Sequence, residues 1–241
     1  ELWETITVSR DYLVLFLAMI ITSIASGIAT NLTLFFYSYF WEFTPLNILT
    51  VGLALFLTPL IGLKFSPLLA STLGKRKTII YLFALAFIAE NIIILMRVLN
   101  ILPGNDSVFI LPLVLIFHCI AISAQIISYT NLASMVFDTV EEVEKLTGRR
   151  MEGTLLAARS FAAKCMSGAG AFLAGLILSY SAWPKGAVAG EVESSILNSV
   201  GLSAISISTI LWLTAIFVFS KVRMTKSSHE DNLGELNYSN D

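Results

Sequence analysis

Charge is scarce in this sequence. Only 13% of its 241 residues are charged, 15 Lys plus Arg against 17 Asp plus Glu, while 56% are hydrophobic and the mean hydropathy is +0.80. Too few polar side chains remain to cover a water-soluble domain of this size, so that class is excluded. Two cysteines, Cys119 and Cys165, each inside an apolar run, cannot build a disulfide framework and read as small packing residues. Histidine is as rare: His118 has no second His, Cys or carboxylate at ligand spacing, so no metal site is expected. The short alternating segments of a membrane barrel are missing. A net charge of -2 with a pI near 5.7 masks strong local asymmetry, and no nucleic-acid partner is expected.

Long apolar runs are what the chain does have. Stretches able to cross about 30 Å of hydrocarbon fall at 12–40, 46–70, 78–101, 108–137, 154–181 and 196–220, separated by turn chemistry or charge such as STLGKRKT (71–78) and LPGNDS (102–107). Six helical spans follow, because backbone in lipid must bond to itself. If the N-terminus is cytoplasmic, the inside segments hold Arg10, Lys75, Arg76, Lys77, Lys145, Arg149, Arg150, Lys221, Arg223 and Lys226, against Lys185 alone outside. The positive-inside rule then puts both termini in the cytoplasm of a multi-pass protein. The polar lead before Asp11 reads like the end of a loop, as if this were the second half of a larger unit, and 221–241 reads as a polar tail.

Ionisable groups within spans are costly and so are functional candidates. Lys64 and Arg97 lie within about two turns of their helix ends, where a long stem carries charge to the headgroups. Glu90 is mid-span, followed by Asn91; it reads equally as a protonated acid bonded to a neighbouring helix or as a proton or cation site. Lys164 is the deepest cation, about 15 Å inside its span, with Ser160 one turn earlier on the same face and Arg159 about 140° away. Ser167, Ala171 and Gly175, thinned further by Gly168 and Gly170, form a stripe expected to pack against a neighbouring helix. Gln125 and Tyr129 share a face of the preceding span, near Asn131, and Asn31 and Thr33 are polar points in the first. Together with Lys164 they suggest an aqueous cavity.

Two connections carry a resemblance. PLLASTLGKRKTI (67–79) is similar to the basic loop between the second and third helices of a major facilitator half. SMVFDTVEEVEKLTGRRMEGTLLAARSFAAK (134–164) resembles the helix 10 to helix 11 connection of the glycoside-pentoside-hexuronide:cation symporters, the melibiose permease family, with Asp138, Glu141, Glu144, Thr147, Gly148, Arg150, Glu152 and Gly153 in step. The resemblance implies an all-α transmembrane fold, the C-terminal six-helix half of a major facilitator transporter built from two three-helix repeats. Residues 1–11 would end the central cytoplasmic loop, 12–220 would form the half-transporter with its cytoplasmic connection at 138–153, and an N-terminal half absent from this chain would be its partner.

The resemblance further implies a Na+- or H+-coupled symporter of a sugar-like substrate, with no cofactor beyond the coupling cation. It puts the helix 11 lysine of the cation and sugar region on Lys164 and the sugar-flanking aromatic on Tyr129. Arg159 and Ser160 stand where the family pattern has Gln-Thr, and a guanidinium there suits a uronide or other anion, or an inter-half salt bridge. The third helix of each repeat is peripheral in such proteins, which sets Glu90 apart from the central cavity. Substrate and cation binding is therefore assigned to Lys164, Arg159, Ser160, Tyr129, Gln125 and Asn31. A cytoplasmic gate is assigned to Asp138, Glu141, Glu144, Arg150, Glu152, Lys75 and Arg76, whose charges otherwise belong to a solvated helix. Other readings are a facilitator-fold transporter of lipid or amino acid, a non-transporting scaffold and, remotely, an intramembrane hydrolase with Ser160 and Lys164 as nucleophile and base.

Overall fold

In the computed structural model, residues 9–148 and 152–222 are described. Among them the chain is entirely helical. Helix α1, Arg10–Phe35, starts at Ser9, whose hydroxyl accepts from the Tyr12 amide at 3.1 Å, and continues through a π-helical turn at Phe36–Phe40. Helices α2 (Pro45–Leu55) and α3 (Thr58–Leu73) make the second span, which breaks at Phe56 and Leu57 because Pro59 has no amide to continue the ladder. Gly74 alone, at φ +80, turns the chain into α4 (Lys75–Val98), and the Thr78 hydroxyl closes the turn on the Leu69 carbonyl at 3.0 Å. Helices α5 (Ile110–Thr147), α6 (Glu152–Tyr180) and α7 (Ser194–Phe219) follow. Six of these segments, counting Pro45–Leu73 as one, are long and apolar enough to span a membrane.

Packing arranges the helices in an arc ordered α3, α5, α4, α7, α1, α6. α1 packs against both α6 and α7, α4 against both α5 and α7, and α3 mainly against α5. The two ends of the arc are the least covered spans: 17% of the Pro45–Leu73 window and 22% of the Leu156–Tyr180 window are buried, against 56% for Arg10–Phe40. One core, around Tyr12, Phe83, Val136 and Trp212, fills the end of the bundle that carries Lys75 and Asp138. The other, around Phe36, Phe40, Trp41 and Ile177, fills the far end. Burial of such side chains against neighbouring helices gives close contact rather than hydrophobic gain, since lipid is equally apolar.

The tightest helix crossing is between α1 and α6. A Cβ at Gly170 would come within 2.6 Å of the Gly27 backbone, and one at Gly27 within 2.1 Å of the Met166 carbonyl oxygen, so both positions require glycine. This corrects the expected packing stripe. Ser167, Gly168, Ala171 and Gly175 are exposed, and a Cβ on Gly168 or Gly175 would meet nothing; the packed line is instead Ala158, Ala162, Gly170 and Ala174. Small residues populate both faces of α6, so their spacing alone carries no phase.

Arg97, next to last in α4, donates from its guanidinium to the Pro103 carbonyl and the Asn105 side chain of the following loop, and it lies 5.6 Å from the Trp41 ring centroid. The five donors of a guanidinium satisfy the turn that follows α4, and Asn105 in turn donates to the Phe40 carbonyl at 3.2 Å.

Candidate functional site

Lys164 lies twelve residues into α6, about 18 Å from its start. Its side chain is exposed, and among the described residues it has no ion-pair partner. With 100° per residue, Ser160, Ser167, Gly168, Ala171 and Gly175 all fall within about 60° of it, while the line packed on α1 is centred on the opposite side. Lys164 therefore projects from the middle of a smooth, uncovered face. Ser160 is exposed one turn away and makes no hydrogen bond with it. Arg159 is exposed as well, but about 140° round the helix. Asn31 is exposed on α1, donating to the Gly27 carbonyl at 2.7 Å, one turn from the α1–α6 crossing. Lys64 repeats the pattern at the other end of the arc: it points away from Thr58, Gly62 and Ser66, the buried face of α3.

Gln125 and Tyr129 do not join that open face. They turn inward, into a hydrogen-bonded cluster spanning α1, α4 and α5. The Tyr129 hydroxyl donates to the Thr22 carbonyl at 3.2 Å and lies 2.9 Å from Ser26 Oγ; Ser26 is 3.4 Å from Gln125 Oε1; Gln125 Nε2 donates to Glu90 Oε2 at 3.5 Å. Each hydroxyl has one proton, so Ser26 donates to either Tyr129 or Gln125. The sequence reading missed Ser26, whose four-residue spacing from Thr22 on α1 was the available signal. Asn131, next along α5, donates to Ser66 at 3.0 Å and ties α3 into the bundle.

The described residues among those expected to act as a gate sit at one end. Lys75 Nζ is 2.6 Å and 2.9 Å from the two Asp138 oxygens, an ion pair joining the α3–α4 turn to α5. Arg76 donates to the Ser220 carbonyl just past α7, where a cation complements the unpaired carbonyls of a helix end. Glu144 lies in the last turn of α5, where its carbonyl accepts from the Gly148 amide at 2.7 Å, and Glu152 begins α6. Arg150 lies outside the described residues, as does the side chain of Glu141.

The profile of the MFS/sugar transport protein family matches residues 1–226. The chain belongs to that family. It is also similar to the uncharacterized symporter YnaJ of Bacillus subtilis (strain 168), 28% identical over 240 residues that cover 100% of this chain and 47% of that protein. It thus spans about half the length of the curated relative it matches. No solved structure matches it.

For an MFS/sugar transport protein, the arrangement separates two kinds of polar group. The lysines of α3 and α6 stand on uncovered faces at the two ends of the arc, where an unpaired ammonium in hydrocarbon would cost a few kcal/mol or more. The amide of Gln125 and the hydroxyls of Ser26 and Tyr129 are bonded to one another, and one oxygen of Glu90 accepts from that amide, so the inner cluster ties α1, α4 and α5 together whatever else it does.

Proposed function

We propose that this chain is the C-terminal half of a Na+- or H+-coupled symporter for a sugar, glycoside or uronide, working by alternating access with an N-terminal half. The observation that carries the reading is Lys164. It sits mid-helix on a face of α6 that is exposed among the described residues, and a lysine held that deep needs protein, water or a carboxylate opposite it. The exposed small residues around it allow close approach by a partner helix or a substrate. Coupling to a cation gradient is what the family resemblance of the 134–164 segment implies, and the similarity to a Bacillus subtilis symporter supports it.

Lys164, Ser160 and Asn31 are the groups of this half that face substrate or cation. Arg159 lies too far round α6 to share one ligand with Lys164, which favours a salt bridge to the other half over a uronide clamp. Gln125 and Tyr129 act from inside the bundle, shaping the cavity wall. The gate closes at the end where Lys75, Arg76 and Asp138 lie, with Glu141, Glu144, Arg150 and Glu152 meeting the other half across it. The distribution of Lys and Arg supports a cytoplasmic position for this end and for both termini, in a bacterial cytoplasmic membrane.

The test is cation-gradient-driven uptake by the full-length transporter in vesicles, across a panel of glycosides and uronides. Lys164→Gln should abolish uptake and leave thermal stability unchanged, because the side chain is exposed and has no ion-pair partner among the described residues. Wild-type uptake that depends on no cation and no sugar would replace this reading by a lipid or amino-acid transporter or a scaffold. Loss of a hydrolytic activity in Ser160→Ala would replace it by an intramembrane hydrolase.

A further inference from the structure

A second polar site lies off the open face. Between α1, α4, α5 and α7 is a cavity of about 50 Å³ lined by Thr33, Tyr37, Glu90, Asn91, His118 and Ser208 among apolar side chains. Two groups in it are left over. The Tyr37 hydroxyl is buried, with its residue 6% exposed, and has no hydrogen-bond partner. Glu90 accepts from Gln125 through Oε2, and among the described residues Oε1 has no partner. The Tyr37 hydroxyl, buried without a partner, is costly unless something bridges it to a neighbour such as the free oxygen of half-buried Glu90, and the cavity is partly open, so water can reach it. A water needs about 10–15 Å³ of such space and two to four polar partners, so the cavity has room and partners for more than one.

We infer that this cavity is a hydrated proton-binding site, in which Glu90 takes up one proton while water bridges its Oε1 to Tyr37 and His118. The step is a simple protonation: the carboxylate becomes the acid, the proton resides on Oε1 because Oε2 already accepts from Gln125, and the new O–H donates to the bridging water. The titratable groups around Glu90 are Tyr37 from the π-helical turn after α1 and His118 and Tyr129 from α5, with Cys119 of α5 near Tyr37. α7 contributes Ser208, and no lysine or arginine lines the space. Two features suit the site to signalling rather than storage. Tyr37 sits in the π-helical turn Phe36–Phe40, where a helix accommodates local rearrangement. The Gln125–Ser26–Tyr129 chain runs from Glu90 to the residue beside Gly27, where α1 meets α6. This inference goes beyond the reading above, whose site is the open face of α6, and its test requires no transport.

The full-length protein, purified in lipid nanodiscs, is compared by infrared difference spectroscopy between about pH 5 and about pH 9, a range that covers displaced carboxyl titrations. The expected result is a protonated-carboxyl carbonyl band that appears on acidification, is lost in Glu90→Gln, and changes frequency in Tyr37→Phe as the bridging water loses a partner. A Glu90-dependent band of equal size at every pH would overturn the inference, since the acid would then be permanently protonated. A band untouched by Glu90→Gln would overturn it as well. Should Glu90→Gln fail to fold, Tyr37→Phe and His118→Asn decide: no effect of either on the band refutes the site.

Discussion

Gly170→Ala isolates the contact on which α6 depends. The new Cβ would sit 2.6 Å from the Cα and carbonyl carbon of Gly27 and 3.0 Å from its oxygen, where ordinary contact is 3.4–4 Å. Backbone cannot swing aside as a side chain can, so α6 must retreat from α1 by roughly 1 Å, a gap that forfeits about a quarter to a half of the dispersion energy of each separated atom pair. α6 has little else to hold it, because it packs almost wholly on α1. Overpacking of this kind costs about 1–3 kcal/mol. Gly168→Ala and Gly175→Ala are the matched controls: each adds the same methyl to the same helix, and the methyl meets nothing in this half. Thermal unfolding in detergent should therefore show a lowered midpoint for Gly170→Ala. The controls should unfold like the wild type or slightly above it, since alanine is the better helix former. If Gly170→Ala melted with the wild type while Gly168→Ala fell, the face of α6 assigned to α1 would be wrong. The controls carry a second readout: if the exposed small-residue face meets the other half, they should slow transport without altering the melt.

The Lys75–Asp138 pair is partly open to solvent, its side chains 35% and 14% exposed. Asp138→Asn should accordingly cost no more than about 1 kcal/mol and less at high salt, and the exchanged pair Lys75→Asp with Asp138→Lys should recover most of it in a double-mutant cycle. Arg97→Lys keeps the charge but loses the fork that reaches Pro103 and Asn105, so it should cost about 1–3 kcal/mol and speed proteolysis between 99 and 109; equal protection of both proteins would argue against the clamp. Asn131→Leu removes the bond to Ser66 and should lower stability by about 0.6 kcal/mol, up to about 1.7, the range for hydrogen bonds between membrane helices. Ser66→Ala should give a similar loss, and the two together no more than either alone.

The spans were legible because hydrocarbon thickness sets a length that apolar runs must meet, and six such runs needed no tertiary information to find. The break at STLGKRKT (71–78) was legible as turn chemistry and charge, though not that Gly74 alone makes the turn. Rotation of each helix about its axis was not. On α6 the run Ala158, Ala162, Gly170, Ala174 and the run Ser167, Gly168, Ala171, Gly175 are equally small, and only the position of α1 decides which is buried. Gln125 and Tyr129 were recognisable as a polar pair on one face of α5, yet whether that face turned toward Lys164 or toward Ser26 depends on contacts some hundred residues away in sequence. Glu90 shows the same limit. Its depth was evident, but the cavity it shares with Tyr37 depends on a π-helical turn that no local pattern announced.

Helix α5 runs for 38 residues, roughly 57 Å, nearly twice what a bilayer requires. The nine residues after Asp138 carry the helix on for roughly 14 Å, tied to α4 through Lys75. Val140 and Val143 in that extension are buried in the same core as Tyr12 of α1 and Ala158 of α6. The overhang is therefore a brace: it carries the packing of the bundle beyond the length a bilayer requires, and holds the start of the helix that bears Lys164 against α1 and α5 together.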